Sequence, residues 1–178
     1  MVDIQLLQTV SIVIASVGVF VAAIYYMFTL RHNIKRREME TCRLVSSDFN
    51  SEEGTKRYAA MMSLEWKDFK DFMQKYRYSN PEEFSKYASQ FMVWETCGFL
   101  IKRKVVKAEN LYDLGGFVAI FGWEKYKDIV QGLREVVWGK DLWSNAEYFA
   151  QEMLNIKLRK DASFKDKLKT ILITSTTK

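Results

Sequence analysis

The chain has 178 residues, with 27 Lys and Arg against 22 Asp and Glu, for a net charge of +5. That excess is too modest to make nucleic acid the expected partner when no reading motif accompanies it. One histidine and two cysteines exclude a disulfide framework and a zinc site of the Cys-x-x-Cys or His-Glu-x-x-His kind, so neither metal nor cofactor is expected.

The most informative segment comes first. Thr9 to Leu30 is uncharged, and Arg31-His32-Asn33-Ile34-Lys35-Arg36-Arg37 follows at once. At about 1.5 Å per residue a helix over this run reaches about 33 Å, enough to cross a bilayer core. A cleaved leader would begin with basic residues and end at a small-x-small site. Here Asp3 is the sole preceding charge, and the run finishes in Tyr25-Tyr26-Met27-Phe28. All Lys and Arg lie after Leu30, which orients the N-terminus outside and the rest of the chain in the cytoplasm of a single-pass cell-membrane protein. Isolated Cys42 and Cys97 suit that reducing compartment. Ser11, Ala15, Gly18 and Ala22 form a small-residue stripe suited to helix packing in lipid. Arg31, Lys35, Arg36 and Arg37 are placed to contact headgroups, each contributing about 1 kcal/mol of attraction to anionic lipid. His32 reads as a polar interfacial residue.

From Arg31 to Val45 there is no glycine or proline, so the helix should continue out of the membrane. Ser46 to Gly54 is rich in cap and turn residues and marks a break. The spacing predicts a helix over Lys56–Tyr78, with Tyr58, Met62, Phe69, Phe72, Met73 and Tyr76 largely on one side. Asn80 as cap, Pro81 at the first helical position and Glu82-Glu83 at the dipole's positive end predict the next start. Phe84, Tyr87, Phe91, Trp94, Gly98, Ile101 and Val105 follow as its stripe. A short helix over Ala108–Leu114 should stop at Gly115-Gly116. Phe117–Trp138 follows, with Ile120, Trp123, Tyr126, Val130, Leu133 and Val137 inward, and Gly139 ends it. Trp143–Leu158 and a last short helix, Ser163–Leu172, complete the chain. The fold class is therefore all-α, one transmembrane helix continuing into a cytoplasmic bundle of about five or six helices. Its expected divisions are residues 1–30, 31–45, 46–160 and 161–178.

Chemistry is sparse. No Gly-x-Ser-x-Gly elbow and no phosphate-binding glycine loop occur, and the sequence assigns no catalytic residue. Glu95 stands out as the sole charge in Phe91–Ile101. A carboxylate so placed needs a partner or a raised pKa, and Arg134 is the expected partner in a buried ion pair. The competing role for Glu95 is a general base.

Certain residues carry a resemblance. Trp94-Glu95-x-x-Gly98-x-Leu100, Leu111-Tyr-Asp-Leu-Gly-Gly116, Trp123 with Arg134, and Glu147-Tyr148-Phe149 resemble an uncharacterised prokaryotic family of small membrane-anchored helical proteins, a domain of unknown function. The resemblance implies a helical fold and an N-terminal span followed by a basic helix, and no activity. The functional expectation is a membrane-anchored interaction or accessory protein, a subunit of a larger membrane complex. Its partners would be membrane lipids and other membrane or cytoplasmic chains, a second copy among them, with no nucleic acid. A membrane-tethered sensor binding a ligand or partner in the bundle is the first alternative, and a hydrolase using Glu95 the second.

Overall fold

A computed structural model describes residues 4–168, and all elements among them are helical. Asp3 and the end of the expected last helix lie outside those residues. The chain divides into two compact units, residues 1–40 and 41–178. Helix α1, Ile4–Phe49, runs through the division.

The first unit is helix alone. None of residues 4–40 is buried, and the most apolar window of α1 has mean hydropathy 2.2. This is one helix long and apolar enough to cross a membrane. Its aliphatic hydroxyls are satisfied internally. Thr9, Ser11, Ser16 and Thr29 each donate to the carbonyl four residues back, at 2.8–2.9 Å. That arrangement leaves no hydroxyl hydrogen seeking water, as a lipid environment requires.

The second unit begins at Thr41 with the last turns of α1, whose Cys42 and Ser46 are buried. Asn50-Ser51 breaks the helix, a shorter break than Ser46–Gly54. Ser51 then caps α2, Glu52–Ser63, by accepting from the Gly54 amide at 2.9 Å. The expected single helix Lys56–Tyr78 is divided, because Asp68 accepts from the Asp71 amide at 2.8 Å and starts a new one. Tyr76 also serves the backbone of Glu65, accepting from its N–H and donating to its carbonyl. Helix α3, Phe69–Phe72, therefore follows an extended linker and passes into a π turn over Met73–Tyr78.

Helix α4, Pro81–Lys102, starts as expected, with the Asn80 side chain accepting from the Glu83 amide. It stops before Val105, which is exposed in the turn that follows. Helix α5, Ala108–Leu111, ends in a π turn over Tyr112–Gly116, where Gly115 takes φ +99°. Helix α6, Val118–Leu133, ends in a third π turn, Arg134–Trp138. A π turn inserts one residue per turn and shifts the outward register. Val137, expected inward, is consequently exposed. Helix α7, Ser144–Lys160, and a helical turn at 164–168 complete the bundle.

The core is aromatic. Trp94, Tyr87, Tyr126, Phe72, Phe91 and Phe149 are its largest fully buried side chains. Tyr87 stacks on Tyr126 at 4.7 Å, and Phe91 meets Trp94 edge-on at 5.0 Å, contacts that add to the area term. A Cβ on Gly122 would lie 2.1 Å from the Trp94 ring, so the α6 backbone packs against the end of that indole where only glycine leaves room. Helices α4, α6 and α7 thus close over a filled interior.

Candidate functional site

The residues singled out in the sequence converge on the start of α7. Trp143 precedes it in the left-handed region, φ +51°, and offers no side-chain cap. The first amides of a helix need acceptors, and Glu95 supplies them from α4. One carboxylate oxygen accepts from the Asn145 and Ala146 amides at 3.0 and 2.8 Å, and the other from Asn145 Nδ2 at 2.7 Å. Gly98, one turn along α4, permits this approach. A Cβ there would lie 1.9 Å from the Asn145 carbonyl oxygen.

The expected Glu95–Arg134 pair is not formed. Arg134 Nη1 lies 2.9 Å from a Glu147 carboxylate oxygen, and its Nε donates to the Leu142 carbonyl at 2.9 Å. Both residues grip the segment 142–147 by different partners, Arg134 at Leu142 and Glu147, and Glu95 at Asn145 and Ala146 between them. The physical reason is charge already answered. A helix N-terminus attracts a carboxylate, which leaves Arg134 to a second acid on α7. Three hydrogen bonds from α7 to its two oxygens make Glu95 the acceptor that caps that helix end. The motif residues Trp94, Glu95, Gly98, Arg134, Glu147 and Phe149 are therefore the joints of α4, α6 and α7.

In the first unit, Arg31, Lys35, Arg36 and Arg37 are all exposed, as are Ser11, Ala15, Gly18 and Ala22. Space beside Gly18 is open, with no atom within 4 Å of a Cβ built there. A shallow surface depression runs along Ile12, Ala15, Ser16, Val19, Phe20 and Ala23, sharing Ala15 with the expected stripe.

Electrostatics inside the bundle favour neutral groups. Burial pushes the Cys97 thiol up to about 12, the Tyr58 phenol up to about 12, and the Tyr126 phenol higher still. Burial also lowers the Lys125 pKa. Its ammonium donates to the Met62 carbonyl and lies 5.3 Å from the Trp66 ring centre. Together with Tyr126, which donates to the Met61 carbonyl, it satisfies the C-terminal end of α2. Among the described residues no group of three His, Cys, Asp or Glu side chains is placed to hold a metal ion. The depression on the bundle is an open one flanked by Glu152, Asn155, Leu158 and Arg159.

One surface feature escaped the sequence reading. Two π turns meet where Arg77 lies over the Trp138 ring at 4.4 Å and near Phe84 at 5.6 Å. Around it Tyr78, Val136, Val137 and Trp138 are exposed, Val136 at 70% and Trp138 at 47%. Arg77 has one buried guanidinium nitrogen with no acceptor. A signal was present in Val136-Val137-Trp138. Three consecutive residues on a helix cover about 200° and cannot all face inward. Nothing in the sequence joins Arg77 to Trp138.

These features define an all-helical bundle preceded by one apolar helix of membrane-spanning length, whose polar constellations are structural joints. The chain belongs to the family described as Domain of unknown function (DUF4760), whose model matches residues 12–153. The match starts within the apolar helix and ends in α7, so it takes in the α4–α6–α7 joints entire. No curated protein and no solved structure matches the chain.

Proposed function

We propose that this protein is a membrane-anchored adaptor. Its apolar helix spans the cell membrane once with the N-terminus outside, and its cytoplasmic bundle presents the Arg77–Trp138 edge to another chain of a membrane complex. The observation that carries the reading is the contrast in burial. Residues 4–40 bury nothing, while the bundle fills its interior and leaves Tyr78, Val136, Val137 and Trp138 exposed beside Arg77. Interface centres favour Trp, Tyr and Arg, and aliphatic neighbours exclude water around them. The family match supports an uncleaved anchor, since it begins at residue 12, within the apolar run.

The orientation rests on charge, with Arg31, Lys35, Arg36 and Arg37 at the inner headgroups. The stripe Ser11, Ala15, Gly18 and Ala22 supplies a lateral contact in the bilayer. The test is extraction of the full chain in mild detergent, followed by mass determination by light scattering and identification of co-purifying chains. The expected result is a stoichiometric companion that is lost from the Trp138→Glu variant. A monomer without companions overturns the adaptor reading, and so does a companion retained at full stoichiometry by Trp138→Glu.

A further inference from the structure

The C-terminal end of α4 carries more outward positive charge than a helix end requires. Lys102 lies in the last turn, where it opposes the negative end of the dipole. Arg103 and Lys104 lie beyond it, and from Phe99 to Ala108 there are four cations and no carboxylate. Three arginines elsewhere on the bundle pair with acids, Arg57 with Asp48, Arg134 with Glu147 and Arg159 with Glu109. Lys102, Arg103 and Lys104 have no carboxylate partner among the described residues. Instead the Arg103 guanidinium lies 5.5 Å from the Phe99 ring centre, and the Lys102 ammonium 5.0 Å from that of Tyr148.

Two apolar side chains stand out among these charges, Phe99 at 46% exposure and Val105 at 43%. The turn is firmly seated, because Ile101, Val106 and Ala108 point into the core beneath it. Cations interleaved with exposed apolar groups form the composition that settles at an anionic bilayer surface, charge to headgroup and apolar tip to the acyl boundary.

We propose that this corner is a second membrane contact, docking on anionic lipid of the leaflet from which the basic turn Arg31–Arg37 emerges. It rests on the reading of the first part of α1 as a membrane span. Residues 31–40 separate Leu30 from the second unit, a helical tether of about 15 Å. A tether so short holds the bundle at high effective concentration near the headgroups, so weak individual contacts suffice. Cys97, little more than a turn before the end of α4, belongs to the same core as Cys42 in the last turns of α1.

The test uses the full chain in lipid nanodiscs, with a nitroxide on Val105→Cys and a second preparation labelled at Val17→Cys. Cys42 and Cys97 are both fully buried, so the parent chain serves as the unlabelled control. Collision with oxygen and with a water-soluble nickel chelate reads depth. In discs with about 30% phosphatidylserine the label at 105 should be shielded from nickel about fivefold relative to phosphatidylcholine discs. About 0.5 M salt, which shortens the Debye length to about 4 Å, should remove the shielding without any substitution. The combined Lys102→Glu, Arg103→Glu and Lys104→Glu variant should behave in anionic discs as the parent does in neutral ones. Nickel access at 105 equal in both lipids, with the label at 17 immersed, overturns the second contact and leaves the anchor standing. Nickel access at both positions overturns the anchor as well. Shielding that persists in neutral discs or in high salt overturns lipid docking in favour of a protein occupant.

Discussion

Helix α4, which carries Glu82, Glu83, Lys86, Glu95 and Lys102 among its apolar residues, and the uncharged stretch 4–30 of α1 meet opposite fates. Helix α4 buries Tyr87, Gln90, Phe91, Trp94, Cys97, Gly98 and Ile101, whereas the stretch in α1 buries nothing. Their polar groups explain the difference better than their apolar ones. In α4, Glu95 and Gly98 are fitted to particular atoms of α7 and have no purpose without them. In α1 the hydroxyls of Thr9, Ser11, Ser16 and Thr29 turn back on their own helix and need no partner. Ser85, Ser89 and Thr96 of α4 turn back on their own helix in the same way, so the difference lies in the addressed groups that α4 adds.

The largest expected effect comes from making the same truncation in both. Trp94→Ala should cost the bundle about 3–5 kcal/mol in a denaturant melt of the detergent-solubilised chain, while Phe20→Ala leaves that melt unchanged. Equal losses would mean that the apolar helix is packed against protein. Nearly as large is the protection of Cys97. With its thiol pushed up to about 12 from an ordinary 9, its thiolate fraction at pH 9 falls about five-hundredfold, and alkylation should slow accordingly until the bundle unfolds. The unfolded chain releases this proton near pH 9 and the folded chain near 12. The stabilisation is therefore complete below pH 9 and is lost as pH rises through that window. A thermal melt that does not fall between pH 9 and 11 would contradict it.

Much of this contrast was legible in the sequence, and the unread parts share a cause. The uncharged run, the Asn80-Pro81 start of α4 and the Gly115-Gly116 stop depend on neighbours in the chain, and each is found where the residues put it. The division of Lys56–Tyr78 depends on Asp68 acting as a cap and on Tyr76 reaching back to Glu65. These are competing local bonds of similar strength, and periodicity does not rank them. Glu95 was legible as a residue needing a partner, but α7's bare N-terminus was not. Its vacancy arises from Trp143 adopting a left-handed conformation, which no propensity for tryptophan suggests. The Arg77–Trp138 edge depends on two π turns shifting register, and an inserted residue in a helical turn leaves no mark on composition.

A third experiment probes the lipid side of the comparison. Val17→Lys places a charge in the middle of the apolar run, which costs about 3 kcal/mol of membrane insertion. The expected outcome is a large fall in the alkali-resistant membrane fraction, with the bundle's melt retained. Undiminished membrane residence would break the assignment of this helix as a span. A fourth concerns the joints. Glu95→Ala and Arg134→Ala should each cost the bundle about 1–3 kcal/mol, because each strands buried backbone groups of residues 142–146. The coupling measured in an Arg134/Glu147 double-mutant cycle should exceed that of Glu95/Arg134. The reverse ranking would restore a direct Glu95–Arg134 pair.

The smallest effect tests whether the exposed helix is merely lipid-compatible or carries an address of its own. Gly18 has open space beside it, so leucine there should fit the isolated helix without strain. Replacing Gly18 and Ala22 together by leucine removes the close approach that small residues permit, and van der Waals packing is the main attraction between helices in lipid. Association of the full chain in bilayers, followed by energy transfer between labelled copies, should weaken by about 1 kcal/mol, or about fivefold. Membrane residence and the bundle's melt should stay as they were. If energy transfer is unchanged, the stretch 4–30 has no addressed face, and the contrast with α4 is complete. If it falls, the span carries its own version of Gly98, a small residue kept small for a neighbour not present in the chain itself.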